Sequence, residues 1–133
     1  MPLDHVSIGV SDVARAKAFY DAVLAPLGMT AVMPTRLPSG ELVSVGYGDA
    51  SGKPVFWIGL PLNRGAPSAG NGVHLAFAAP SRAAVDAFYI AAVEHGGHDD
   101  GSPGLRSEYH PDYYGAFVRD LDGNKIEAVR HGT

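Results

Sequence analysis

Three residues in this sequence have side chains that could together bind a divalent metal ion: His5, His74 and Glu127. Two imidazoles and one carboxylate can occupy one face of an octahedral metal, which leaves the other positions open for water or substrate. Such a set suits Fe(II), Mn(II), Ni(II), Co(II) or Zn(II). Open positions indicate catalysis or ligand binding rather than a purely structural metal.

Each of these residues also has an ordinary interpretation. A strand histidine is more often a hydrogen-bonded structural residue, and two histidines in duplicated halves are not independent observations. Glu127 could face solvent on an edge strand. Taken alone, Glu127 is better explained in this way, although it lies in mid-strand between Ile126 and Ala128 and burying a carboxylate is costly unless it is paired or bound to metal. Taken with the two convergent histidines, it favours metal ligation.

The two histidines belong to an internal repeat. Residues 5–20 and 74–89 each begin with His and end with Ala-Phe-Tyr, at an offset of 69 positions. Further along, Asp49 aligns with Asp120 at an offset of 71 positions, as expected if one loop is longer. Two units of about seventy residues therefore fill the chain and set its architecture.

Each unit has the pattern of a strand, a helix and three more strands. The elements of the first unit are predicted as strand 3–10, a helix capped by Asp12 and ended by Gly28, and strands 29–36, 42–48 and 54–60. Those of the second unit are strand 73–78, a helix capped by Ser81 and ended by Gly96, and strands near 98–105, 113–120 and 124–131. We predict an α+β fold, in which two tandem βαβββ modules form curved mixed sheets around a cleft.

The whole chain, residues 1–133, is predicted to be one domain. Its modules span about 1–62 and 72–133, joined by a Pro- and Gly-containing linker at about 61–72. On both first strands the histidine lies opposite the bulky residues. His5 shares its face with Ser7, and His74 shares its face with two alanines. If the open faces of the two sheets turn toward each other, both imidazoles lie in one cleft.

The segment 106–114 combines an arginine, a histidine and three tyrosines. It predicts a polar, aromatic rim over the metal, in which Arg106 holds an anionic group and His110 or Tyr113 moves protons. The alternative is a rigid loop whose aromatic side chains cover the core.

Composition excludes several classes of function. Hydrophobic residues make up 46% and charged residues 18% of the sequence, which is typical of a globular protein. The net charge is −4 and no basic run occurs, so we expect no nucleic-acid partner. The chain contains no cysteine, which excludes thiolate ligands. We expect a cytoplasmic protein without membrane association, because no signal segment or long apolar run is present.

Three segments resemble the glyoxalase I, bleomycin-resistance and extradiol-dioxygenase superfamily, also called the vicinal-oxygen-chelate superfamily. They are Leu3-Asp-His-Val-Ser-Ile8, Gly72-Val-His-Leu-Ala-Phe77 and Phe117-Val-Arg-Asp-Leu-Asp-Gly-Asn-Lys-Ile-Glu127. The last is similar to the family's Asp-Pro-Asp-Gly-Asn-x-x-Glu signature, with Leu121 in place of proline. The resemblance covers essentially the whole chain and implies paired βαβββ modules, a homodimer, and a metal held by His5, His74 and Glu127.

The resemblance also indicates which subfamilies of this superfamily the chain is more similar to, because their metal ligands differ. Glyoxalase I enzymes carry a fourth ligand, a glutamate on the last strand of the first module, where the repeat alignment places Phe56. We therefore expect Phe56 to form an apolar wall of the cleft and the chain not to be a standard glyoxalase I. Extradiol dioxygenases and fosfomycin-modifying enzymes use the His, His, Glu set. The latter place a tyrosine where this chain has Phe117, which we count among the substrate-binding residues.

These observations favour a metal-dependent lyase, dioxygenase or transferase that chelates two neighbouring oxygens of a small molecule. The alternative is a metal-free binding protein that sequesters a ligand between subunits, as bleomycin-resistance proteins of this family do. The sequence names neither the general base nor the substrate. It also leaves open whether the cleft forms within one chain or across a dimer.

Overall fold

The computed structural model of the protein describes residues 2–133, which form two modules of the same plan. The first contains β1 (Val6–Gly9), α1 (Val13–Leu24), a short 3-10 helix (Ala25–Leu27), β2 (Thr30–Arg36), β3 (Leu42–Gly48) and β4 (Phe56–Gly59). The second contains β5 (His74–Ala78), α2 (Arg82–Glu94), β6 (His98–Leu105), β7 (Tyr113–Arg119) and β8 (Lys125–His131).

Each module has one four-stranded mixed sheet. The strand orders are β1-β4-β3-β2 and β5-β8-β7-β6, so the first strand of each module lies at a sheet edge. The pairs β1/β4 and β5/β8 are parallel, and the other pairs are antiparallel. The predicted α+β fold of two βαβββ modules is confirmed. The first strand is shorter than predicted, and His5 lies just before it.

The helices begin and end where the sequence predicts. The carboxylate of Asp12 accepts a hydrogen bond from the backbone N–H of Arg15 at 3.1 Å, and the hydroxyl of Ser81 accepts one from that of Ala84 at 3.0 Å. Both are N-cap bonds, which satisfy donors that the first helical turn leaves free. Neither of the two α-helices described in residues 2–133 is long and apolar enough to cross a membrane.

The hydrophobic core lies between the helices and one face of each sheet. The alternation of the strands places Val45, Tyr47 and Ile58 in this core from the first sheet, and Ile126 and Ala128 from the second. The two helices also contact each other, so the core continues from one module to the other. The opposite face of each sheet carries no helix, and this open face is where the candidate ligands lie.

A turn in the second module ties the two modules together. The buried hydroxyl of Tyr20 donates a 2.6 Å hydrogen bond to Asp120, and the side-chain amide of Asn124 donates to the backbone oxygen of Gly9 at 3.1 Å. The carboxylate of Asp122 accepts from the backbone N–H of Ser11 at 3.0 Å. Burial, together with the neighbouring Asp120, raises the pKa of Tyr20 well above its ordinary value. Its hydroxyl therefore remains a hydrogen-bond donor at neutral pH.

Candidate metal centre

Two of the three candidate ligands lie side by side on the open face of the second sheet. Strands β5 and β8 are parallel, with Ala76 opposite Glu127, and this register places His74 on the same face as the carboxylate. His74 Nε2 lies 3.2 Å from Glu127 Oε1. The glutamate is only 1% exposed, whereas the His74 side chain is 45% exposed. A buried carboxylate thus has one oxygen against an accessible imidazole.

The other oxygen of Glu127 is held by Tyr113. The phenol of Tyr113 donates a hydrogen bond to Oε2, which orients the carboxylate. Burial is the main cause of a raised pKa of Tyr113, and this hydrogen bond raises the pKa further, so the phenol stays protonated. Gly115 makes room for the arrangement, because a Cβ atom there would lie 3.1 Å from Oε2 and 3.2 Å from the Tyr113 ring. Tyr113 therefore holds Oε2 of Glu127, whereas Oε1, which faces His74, remains available to a metal ion.

The third candidate, His5, lies on the open face of the first module. Its Nδ1 contacts the Asp4 carboxylate at 2.7 Å, and its side chain is 51% exposed. It borders an open cavity of about 380 Å³, which is also lined by Ser7, Trp57 and Gly59. Every residue lining this cavity lies between positions 5 and 62. His5 also borders a second cavity of about 540 Å³, which residues 75–78 of the second module help to line.

Within one chain, the three candidate ligands do not assemble. Among residues 2–133, no three His, Asp or Glu side chains are close enough to hold a metal ion together. The sequence left open whether the cleft forms within one chain or across a dimer, and in the single chain the open faces do not bring the three side chains together. Helix packing and the turn at 120–124 hold the two modules together, and these contacts do not bring His5 to the other two side chains.

The repeat alignment also placed the wrong residue opposite Glu127. In the sheets, Trp57 pairs with Ser7 as Glu127 pairs with Ala76, so Trp57 occupies the equivalent position. Phe56 is 1% exposed and points into the core. Trp57, and not Phe56, therefore lies on the open face and can form the apolar wall that was expected of Phe56. The indole of Trp57 lies against Gly46, where a Cβ atom would come within 2.9 Å of the indole ring.

The predicted substrate-binding residues of the second module lie around Glu127. Phe117 pairs directly with Glu127 on the neighbouring strand, and its ring centroid is 6.1 Å from that of His74. The guanidinium carbon of Arg106 lies 5.5 Å from the Phe117 ring, and Nζ of Lys125 lies 5.2 Å from it. Both distances suit cation–π contacts. Lys125 is a neighbour of the site that the sequence analysis missed, although its alternation with Glu127 indicated the same face.

At the other end of the open face, His110 contacts His131, which was not among the residues predicted for the site. His110 Nε2 is 2.6 Å from Nδ1 of His131, and their rings are stacked with centroids 4.8 Å apart. The Tyr113 ring contacts both imidazoles edge-on. His131 shares the strand face of Glu127, so its position follows from the same two-residue period.

Together these features define a class of protein: two βαβββ modules whose helix-free sheet faces carry histidine and glutamate. A family model for the Glyoxalase/Bleomycin resistance protein/Dioxygenase superfamily matches residues 2–128. The chain therefore belongs to this superfamily, and the resemblance inferred from the three sequence segments is confirmed.

Solved structures support the same assignment. A glyoxalase/bleomycin resistance protein from Albidiferax ferrireducens T118 shares 35% identity with this chain over 98% of each chain, with a TM-score of 0.81. A glyoxalase/bleomycin resistance protein/dioxygenase family enzyme from Burkholderia phytofirmans PsJN shares the fold at 20% identity, over 97% of this chain and 98% of that one, with a TM-score of 0.67.

Glyoxalase I from Zea mays also shares the fold, at 23% identity and a TM-score of 0.73. The match covers 97% of this chain and 46% of the maize enzyme, so this chain spans about half of its length. Among curated proteins, no similar sequence was found.

Proposed function

We propose that two copies of this chain bind a divalent metal between them and use it to chelate two neighbouring oxygens of a small molecule. His74 and Glu127 of one copy and His5 of the other would hold the metal. The single observation that carries the proposal is the contact between a buried carboxylate and a half-exposed imidazole on one open sheet face.

The donor atoms fit a metal of this kind. Ligand bonds of about 2.1 Å at neighbouring octahedral positions place two donor atoms about 3 Å apart. His74 Nε2 and Glu127 Oε1 are 3.2 Å apart, so little rearrangement is needed. A carboxylate that is 1% exposed also needs a positive partner, because its burial is otherwise costly. Neutral imidazole and carboxylate are ligands that Fe(II), Mn(II), Ni(II), Co(II) and Zn(II) accept.

A second copy supplies the missing histidine. His5 lies just before the edge strand of the first module, His74 begins the edge strand of the second, and the internal repeat aligns the two histidines. A two-fold dimer that placed the first module of one copy against the second module of the other would join the two half-sites. It would form two equivalent clefts, each with a complete His, His, Glu set.

A bound metal would supply Lewis-acid stabilisation of negative charge that develops on a chelated oxygen. The chain's own residues would perform the remaining tasks. Tyr113 would keep Glu127 oriented through its hydrogen bond to Oε2. Trp57 and Phe117 would give the cleft apolar walls that exclude water and position the substrate.

The experiment is a metal titration of demetallated protein, made without a metal-affinity tag, with Zn(II) and with Ni(II). We expect about one metal per chain in the wild type and a fall to near zero in His5→Ala, although His5 does not touch the other two ligands. His95→Ala is the matched control, because His95 is an exposed histidine that is not a proposed ligand. Its Nδ1 lies 2.9 Å from the backbone oxygen of Ala91, near the end of α2. Full occupancy in His5→Ala would place the metal in the second module alone. A wild-type protein that binds neither ion would leave a metal-free binding protein as the function.

A further inference from the structure

We infer that the substrate of this site carries a carboxylate in addition to its two chelating oxygens, and that Arg106 binds it. This inference rests on the proposed function and adds a substrate class to it. The carboxylate and the chelating oxygens would both lie beside the Phe117 ring.

Arg106 is held in place by the backbone. Its Nη2 donates to the Ser102 oxygen at 2.8 Å, and its Nη1 donates to the Gly104 oxygen at 3.0 Å. These bonds fix the guanidinium, so an anion that binds there needs to order little of the side chain. They also leave further N–H groups of the same side chain free, because a guanidinium carries more donors than these two bonds use.

Glycines in β6 shape the groove in which Arg106 lies. A Cβ atom at Gly101 would lie 3.2 Å from Nη2 and 3.1 Å from the Phe117 ring, and one at Gly104 would lie 3.3 Å from Nη1. Gly101 also has a φ of 148°, which favours glycine. The close approach of the arginine to the strand thus depends on the absence of two side chains.

The charge of Arg106 is not compensated by the protein. None of the ion pairs within residues 2–133 involves it. The two other cations beside the site, Arg119 and Lys125, both contact Asp100, at 3.0 Å and 3.6 Å. A partly buried arginine without an acidic partner favours an anionic ligand, and its planar guanidinium matches a carboxylate in particular.

The Phe117 ring lies beside both Arg106 and the proposed metal ligand His74. The guanidinium lies over Phe117, and the ring of Phe117 lies 6.1 Å from that of His74. The cation and one of the proposed ligands therefore border the same aromatic ring. A molecule that reaches both would contact this ring, which suits a flat or apolar section between its carboxylate and its chelating oxygens.

The experiment compares two ligands of the Zn(II)-loaded protein by calorimetry. Both 3,4-dihydroxybenzoate and catechol offer two neighbouring oxygens, and the former adds a carboxylate across the ring. We expect the wild type to bind the carboxylated ligand about tenfold more tightly, which is typical of one charge-assisted hydrogen-bonded contact. Arg106→Gln should lose this preference while its affinity for catechol stays the same.

Arg15→Gln is the matched control, because Arg15 is exposed on α1 and its loss changes the net charge equally. It should keep the preference. Equal affinity of the wild type for both ligands would overturn the assignment of Arg106 and leave the metal site intact. A preference that survives in Arg106→Gln would also overturn it. Binding of neither ligand by Zn(II)-loaded protein would overturn the proposed function and this inference together.

Discussion

Glu127→Gln will weaken the binding of Zn(II) and Ni(II) by more than about 100-fold while the protein stays folded. Loss of a residue that only supports a ligand typically costs 10- to about 100-fold in metal affinity, and loss of the ligand's charge costs more. Glutamine keeps the shape of the side chain and can still accept the hydrogen bond of Tyr113. Calorimetric titration of the demetallated variant, with its unfolding curve measured in parallel, is the test.

Two variants make this result specific. Tyr113→Phe removes the bond that orients the carboxylate but leaves the carboxylate itself, so we expect an intermediate loss of about tenfold. Glu94→Gln removes an equal charge at an exposed position near the end of α2 and should bind metal as the wild type does. Unchanged affinity in Glu127→Gln would remove this residue from the metal site.

Asp120→Ala will lower the free energy of unfolding by about 3 kcal/mol. Asp120 is 3% exposed and accepts hydrogen bonds from the Tyr20 hydroxyl, the side-chain amide of Asn124 and the backbone N–H groups of Asp122 and Asn124. Alanine leaves these donors without their partner, and an unsatisfied buried polar group costs about 1–3 kcal/mol. Urea unfolding of wild type and variant measures the change.

The repeat provides the control for this substitution. Asp49 occupies the corresponding turn of the first module, where its exposed carboxylate accepts one backbone hydrogen bond from Ser51. Asp49→Ala should therefore unfold at nearly the same urea concentration as the wild type. If both variants lose equal stability, the turn at Asp120 has no special role in joining the modules.

Much of the fold was predictable because its signals are local. Alternation of apolar residues identified the strands, and the caps at Asp12 and Ser81 located the helix starts. The repeat then determined that the two sets of elements form equivalent modules. The short edge strand β1 was overestimated, because alternation in the sequence continues past the last residue that pairs with a neighbour.

The error at Phe56 has a simple physical origin. The turn between β3 and β4 is one residue longer than the turn between β7 and β8, counted from Asp49 to Trp57 and from Asp120 to Glu127. The sequence offset between the two aspartates is therefore one residue larger than the offset between the strands that follow them. Aligning β4 with β8 by the aspartates shifts the alignment by one residue, and such a shift moves a side chain to the other face of the sheet. Phe56, Trp57 and Ile58 are all apolar, so their alternation in burial appears only in the structure.

The assembly of the site was not predictable from local signals. Periodicity shows which face of a sheet carries His5, His74 and Glu127, but it carries no information on how two faces are oriented. That orientation depends on helix packing and on contacts between residues far apart in the sequence, such as Tyr20 and Asp120. The hydrogen bond from Tyr113 to Glu127 likewise depends on how β7 and β8 pair, and spacing along the chain does not show it.

The central claim is a metal site shared by two copies. It is tested most directly by combining two full-length variants, each of which lacks one part of the metal site. His5→Ala and Glu127→Ala are purified separately, refolded together, and analysed for bound Zn(II). Random pairing would make about half of the dimers mixed, and each mixed dimer would contain one intact site and one doubly damaged site. We predict near-zero metal in either variant alone and recovery to about one quarter of the wild-type content in the mixture. No recovery, in a mixture shown to contain mixed dimers, would contradict a site built across two chains.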